Sequence, residues 1–162
     1  MAGDWKQNKN WSDKYLTQIK RILGEHFIGE PPIKEDIHRN TDLMVLNMTG
    51  LRFGCRVRKE KYYENYKDEF TLRCKVYNGG KTELTKIIEG WGDYFFYGFA
   101  NESCVFHWKI GDMKEFRLWF SRRLAKNNGR VPGELRSNHD KSSDFMVFRW
   151  PELPPKFIYA QS

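Results

Sequence analysis

The chain has 162 residues, of which 40% are hydrophobic and 16% aromatic, so it is long enough to bury a sizeable core as one domain. Its net charge of +7 favours polyanionic partners, with nucleic acid ahead of acidic proteins. No apolar run approaches the ~20 residues that span a bilayer, and the polar N-terminus has no apolar signal region. The expected location is therefore the cytoplasm (the host cytoplasm if the protein is viral), without a membrane partner.

The first half of the chain predicts a helix followed by strands. Apolar residues at helical spacing predict a helix from about Ser12 to Gly29. Residues 41–59 predict two strands joined at Thr49-Gly50. In the second strand Leu51, Phe53, Cys55 and Val57 share one face, and Arg52, Arg56 and Arg58 share the other. The arginine face suits an anion, and a solvated outer face is the alternative.

A polar link then carries Tyr62, Tyr63 and Tyr66. The next strand, Glu69–Tyr77, has Thr71, Arg73 and Lys75 on its polar face. Thr82 caps a short helix that places Leu84, Ile87, Ile88 and Trp91 on one side. The strand Asp93–Ala100 lacks alternation, which predicts that both of its faces are covered.

The remaining residues predict appended elements. Cys104–Ile110 is a strand, and Asp112 with Glu115 forms a capping box that begins the last long helix. Residues 127–144 show no apolar pattern and are expected to form a long loop. Phe145–Trp150 is a closing strand, and the tail after it packs through Phe157, Ile158 and Tyr159.

The order helix, strand, strand, strand, helix, strand resembles the αβββαβ core of the PD-(D/E)XK nucleases, in particular a divergent phage or mobile-element member. The likeness covers about Ser12 to Ala100, with 101–162 appended to a single nuclease-like domain. It implies an α/β (α+β) fold with a mixed central sheet flanked by helices. It also implies a Mg²⁺- or Mn²⁺-dependent endonuclease that acts on DNA rather than RNA, and a homodimer, because many nucleases of this fold cut as dimers.

The resemblance assigns roles to particular residues. Asp42 matches the first acidic position, and Glu25 matches the helical glutamate, so both are candidate metal ligands. The family's acid-x-lysine triplet is replaced by Arg56-Val57-Arg58. Arginine can clamp phosphate but is a poor base, because it stays charged at any working pH.

Two explanations of this departure remain open. The missing groups have moved to Glu83 and Lys86, three residues apart on the short helix, or the fold has lost its metal and only binds. An ordinary exposed ion pair between Glu83 and Lys86 is the alternative to migration. Asp93, which follows Gly90-Trp91-Gly92, is a third possible anchor, or these glycines only end the helix.

Three functions follow. The first is an endonuclease with catalytic Asp42, Glu83, Lys86 and Arg58, and with Asp42, Glu25 and Glu83 as metal ligands. The second is a non-catalytic nucleic-acid-binding module. Its candidate binding residues are cations on the strands and aromatic side chains for stacking: Arg52, Arg56, Arg58, Arg73, Lys75, Tyr62, Tyr63, Tyr66 and Trp91. The third is a protein-binding regulator or inhibitor that presents exposed aromatic side chains.

Overall fold

A computed structural model describes residues 10–11, 13–29, 44–45, 50–76, 80–138 and 143–162. The helices and strands in chain order are α1 (Leu16–Phe27), β1 (Ile28–Gly29), β2 (Met44–Val45), β3 (Phe53–Lys59), α2 (Tyr63–Tyr66), β4 (Glu69–Val76), α3 (Glu83–Ile88), β5 (Tyr94–Ala100), β6 (Val105–Asp112), α4 (Met113–Lys126), β7 (Glu134–Ser137), β8 (Ser143–Arg149) and β9 (Ile158–Gln161). This composition confirms the predicted α+β class.

The larger sheet has the strand order β3-β5-β6-β9 and is mixed, since β3 runs parallel to β5 and the other pairs are antiparallel. Its β5 strand is buried at every position from Phe95 to Ala100. Phe95, Tyr97 and Phe99 point to one face, whereas Phe96 and Ala100 point to the other. The prediction that this strand is covered on both faces is confirmed.

Helix α1 covers one face of this sheet, which we call the outer face. Tyr15, just before the helix, and the apolar stripe Ile19, Ile22 and Phe27 pack against the outer face of the sheet. The sheet residues of this cluster are Val57, Phe96, Ala100, Val105 and Ile110. The Gln18 side chain accepts from Val105 N at 2.8 Å and donates to Val105 O at 3.0 Å. This amide therefore pairs with the end of β6 much as a neighbouring strand would, and it fixes the helix on the sheet.

The second sheet is antiparallel, with the order β4-β8-β7, and it faces the inner side of the first sheet. Phe70 on β4 is fully buried at the centre of the inner cluster. Its ring contacts aromatic rings from both sheets, from α4 and from the C-terminal segment: Phe95, Tyr97, Phe116, Phe148, Trp150 and Phe157. The inner core is thus an aromatic layer between the two sheets.

The helix caps agree with the sequence. The Thr82 hydroxyl accepts from Thr85 N at 3.2 Å, and Asp112 accepts from the backbone of Lys114 and Glu115. Ser12, where the first helix is predicted to begin, lies outside the described residues. None of the described helices is long and apolar enough to cross a membrane.

The strand pairing differs from the prediction. Met44–Val45 pairs with Ile28–Gly29, and Phe53–Lys59 pairs with Tyr94–Ala100, so the hairpin expected across Thr49-Gly50 is not among the described pairs. The predicted third strand lies in the second sheet instead of beside β3. Strand β7 occupies part of the expected loop 127–144, because its edge position lets a short polar segment pair with β8.

A glycine in β6 tests how tightly the inner core is packed. A Cβ at Gly111 would lie 2.5 Å from Cζ and 2.7 Å from Cε2 of the buried Phe157. Gly111→Ala is therefore expected to lower the free energy of unfolding by about 1–3 kcal/mol, since the ring must shift inside a packed core. Urea unfolding measures this. Gly50→Ala is the control, because no atom of the described residues lies within 4 Å of a Cβ at that position; equal losses for both variants would contradict the packing.

Candidate nucleic-acid interface

A pocket of about 400 Å³ opens beside β3 and α3. Four cations line it: Arg56 from β3, Arg73 from β4, Lys81 just before α3, and Lys86 in the last turn of α3. Among the described residues, the one carboxylate in the lining is Glu83. Cations therefore outnumber acids at this surface, which favours an anionic ligand.

Arg56 is held by hydrogen bonds to three groups. Its Nη2 lies 2.6 Å from Glu83 Oε2, and its Nη1 donates to Thr71 O at 2.5 Å and to Thr71 Oγ1 at 2.7 Å. Glu83 Oε2 also accepts from Arg73 N at 3.0 Å. The Arg56 and Glu83 side chains are each less than a third exposed. Glu83 therefore pairs with Arg56 and not with Lys86, the ion pair that was the alternative to migration, because Glu83 turns toward β3 and β4.

Two other pocket cations are better placed to meet a ligand. The Arg73 and Lys86 side chains are exposed, and neither forms a salt bridge within the described residues. Lys81 is paired with Glu89, with Nζ–O distances of 2.7 and 2.9 Å. Sequence reasoning did not select Lys81, since an exposed lysine before a helix has no distinguishing pattern.

The turn after α3 carries the exposed Trp91 at the rim of the pocket. Its two flanking glycines, Gly90 and Gly92, have φ values of +100° and +80°, which residues with a Cβ rarely adopt. Arg117 from α4 donates to Gly92 O at 3.1 Å and to Ile87 O at 3.4 Å. The glycines do end the helix, as one of the two interpretations held.

Asp93 and Arg52 hold each other at the base of this turn. Asp93 Oδ2 accepts from Arg52 N at 2.8 Å and from Nε at 3.4 Å, and Asp93 N donates to Arg52 O at 2.9 Å. The Arg52 guanidinium lies 5.5 Å from the centre of the Trp91 ring. Asp93 thus anchors Arg52 rather than standing open at the surface.

Arg58 packs beside the tyrosines of the link. Its guanidinium lies 5.0 Å from the Tyr62 ring centre and 4.7 Å from that of Tyr66, and it donates to Tyr97 Oη at 3.3 Å. Tyr63 packs edge-on against Phe99 and other core rings. Tyr62 keeps 37% exposure. These contacts make Arg58 and Tyr63 supports for the 60–66 segment.

The predicted metal ligands do not come together within the described residues. Glu25 is exposed on α1, which covers the outer face, whereas Glu83 lies on α3 at the inner face. Asp42 lies outside the described residues. Across the part of the chain that the structure describes, no three His, Cys, Asp or Glu side chains form a group that could hold a metal ion.

A divalent ion at the pocket would need more than Glu83. Mg²⁺ takes one or two carboxylates in near-octahedral geometry, and Glu83 Oε2 already accepts from Arg56 and from Arg73 N. The described residues alone therefore do not fit a metal site. Lys75, the remaining predicted cation, is exposed on β4.

Comparisons of the chain with protein-family models, with curated proteins and with solved structures find no match.

The Arg56 contacts can be tested by their effect on stability. Arg56→Ala removes three hydrogen bonds that link β3 to β4 and α3. Their acceptors are the Thr71 carbonyl oxygen, the Thr71 hydroxyl and the Glu83 carboxylate. We expect a loss of about 1 kcal/mol, because a bond to a charged group contributes roughly 1.5–3 kcal/mol and this pair is partly screened by solvent. Chemical denaturation measures it. Arg122→Ala, on the exposed side of α4, should change stability by less than ~0.5 kcal/mol; matching losses would contradict the bridging role.

Proposed function

We propose that this protein binds DNA and that the cationic pocket contacts the phosphodiester backbone. The observation that carries the proposal is the placement of Arg73 and Lys86. Both side chains are exposed at one pocket, and within the described residues neither is neutralised by a carboxylate. Lysine and arginine in such positions displace the counterions condensed on nucleic acid, which supplies most non-specific affinity.

The roles of the arginines differ from those of a simple phosphate clamp. The Arg56 guanidinium is hydrogen-bonded to Thr71 and Glu83, so it forms part of the pocket wall. Its charge attracts phosphate through the electrostatic field of the pocket more than through direct contact. Arg73 and Lys86 bind the phosphate in this proposal. Arg73 can do so without disturbing Glu83, because Glu83 is held by the backbone N–H of Arg73 and not by its side chain.

DNA binding should depend strongly on salt. Anisotropy titrations at several salt concentrations give the slope of log affinity against log salt, and Lys86→Gln and Arg73→Gln should each reduce its magnitude by about one. Lys20→Gln is the matched control, since Lys20 is exposed on α1 over the opposite face of the sheet.

A flat salt response in the wild type, or no binding at low salt, would contradict the proposal. The remaining hypothesis would then be a protein-binding regulator that presents exposed aromatic side chains to a partner.

Hydrolysis of the bound backbone is the second candidate. It is favoured by one observation: Glu83 and Lys86 line the same pocket as Arg56, as relocation of the nuclease groups requires. A Mg²⁺ or Mn²⁺ ion would need at least one further carboxylate there, and Asp42 is the predicted source.

Cleavage assays with Mg²⁺ and Mn²⁺ separate the two candidates. For an endonuclease we expect Asp42→Asn and Glu83→Gln each to abolish cleavage and the double variant to be no worse than either, because residues acting as one unit are non-additive. DNA binding without metal should persist in both. Glu25→Gln should cleave normally, since α1 covers the other face of the sheet.

Equal cleavage by wild type and Asp42→Asn would remove Asp42 from the site. No cleavage by the wild type with either metal would leave the binding function alone.

A further inference from the structure

Trp91 is the most unusual side chain at the pocket. It is 59% exposed, although indole is among the largest apolar groups and the aromatic residues of the inner cluster are buried or half-buried. An exposed aromatic side chain next to a charged pocket is a common feature of binding surfaces.

The backbone around Trp91 is fixed by a specific helix ending. Trp91 N donates to Lys86 O, and Gly90 N donates to Ile87 O, each at 3.0 Å. These are the two hydrogen bonds of a Schellman motif, with Gly90 in the left-handed position. Arg117 then bonds to the carbonyl oxygens on both sides of the tryptophan, those of Ile87 and Gly92.

The helix ending does not account for the tryptophan itself. In a Schellman motif the residue at the Trp91 position usually makes an apolar contact with the helix residue three or four places before the C-cap. Here those residues are Lys86 and Thr85, and both are exposed and polar. The backbone of Trp91 is therefore fixed by hydrogen bonds at a position where Lys86 and Thr85 offer its side chain no apolar contact.

Cations lie near the ring. The Arg52 guanidinium, whose Nε lies 3.4 Å from Asp93 Oδ2, sits over one face of the ring, 5.5 Å from its centre. Lys86 and Arg73 line the same pocket as Trp91. A preorganised aromatic ring bordered by cations matches the chemistry of a nucleotide, in which a flat π-system is joined to a phosphate. The pocket volume of about 400 Å³ falls in the range of small-molecule sites.

We propose that Trp91 stacks on an unpaired DNA base while Lys86 and Arg73 hold the adjoining phosphate, so that the protein prefers DNA containing single-stranded nucleotides to blunt duplex. This inference rests on the proposed DNA binding. Bases inside a duplex have both faces covered by their neighbours, so an indole ring can reach the faces of many bases in a single strand but only those of the two terminal base pairs in a blunt duplex.

The test compares two DNA probes by anisotropy. One is an oligothymidylate of about 20 nucleotides, which is longer than the stretch of single strand that one binding domain usually covers. The other is a blunt duplex of similar length. Trp91→Leu keeps an apolar side chain but removes the π-system. Its affinity for the single strand should fall roughly 5- to 150-fold, as expected from the loss of one stacked base, while its affinity for the duplex stays within about twofold.

Two further variants sharpen the result. Trp91→Phe retains an aromatic ring and should recover most of the single-strand affinity. Leu135→Ala, which truncates a 63% exposed apolar residue on β7, should bind both probes as the wild type does. Thermal unfolding of each variant checks that folding is unchanged.

The outcomes separate this inference from the function on which it rests. If wild type binds DNA but Trp91→Leu loses nothing, or loses equally on both probes, or if wild type prefers duplex, the stacking inference is overturned and DNA binding stands. If wild type binds neither probe, the proposed function fails and the inference falls with it.

Discussion

Arg56 joins two sheets that share no strand pairing within the described residues. It extends from β3, at the edge of the four-stranded sheet, to the backbone and hydroxyl of Thr71 on β4, at the edge of the other. Glu83 completes the link by bonding to Arg56 and to the β4 backbone from α3. The position of α3, and hence of the pocket and of the turn beyond it, depends on this partly buried charge network.

Local features of the fold could be predicted from sequence because they depend on neighbouring residues. Thr82 and Asp112 cap helices through their own side chains, and the unbroken apolar run of 95–100 reports a strand with two covered faces. Strand pairing could not be predicted in the same way. The alternation in β4 is identical whether it lies beside β3 or in a second sheet, and β7 is too short and polar to stand out.

The candidate site could be predicted only in part, because sequence patterns report local geometry. Strand periodicity correctly placed Arg56 and Arg58 on the opposite face from Val57, since the alternation of side chains depends only on the strand itself. Their hydrogen-bond partners are distant in sequence: Glu83 for Arg56, and Tyr97 for Arg58. The same limit applies to Glu25, whose side of the sheet is set by how α1 packs. A sequence pattern shows which face a side chain occupies, but not which group meets it there.

Both sheets depend on strands from the final segment of the chain. The partner of β4 is β8, and the last strand beside β6 is β9, so residues 143–162 complete each sheet. Pairings across such a separation must close long loops before they gain stability, which slows folding. During synthesis on the ribosome, the fully buried Phe70 and Leu72 must therefore wait for β8. A nascent chain of this protein would expose that strand to chaperones until β8 has left the ribosome.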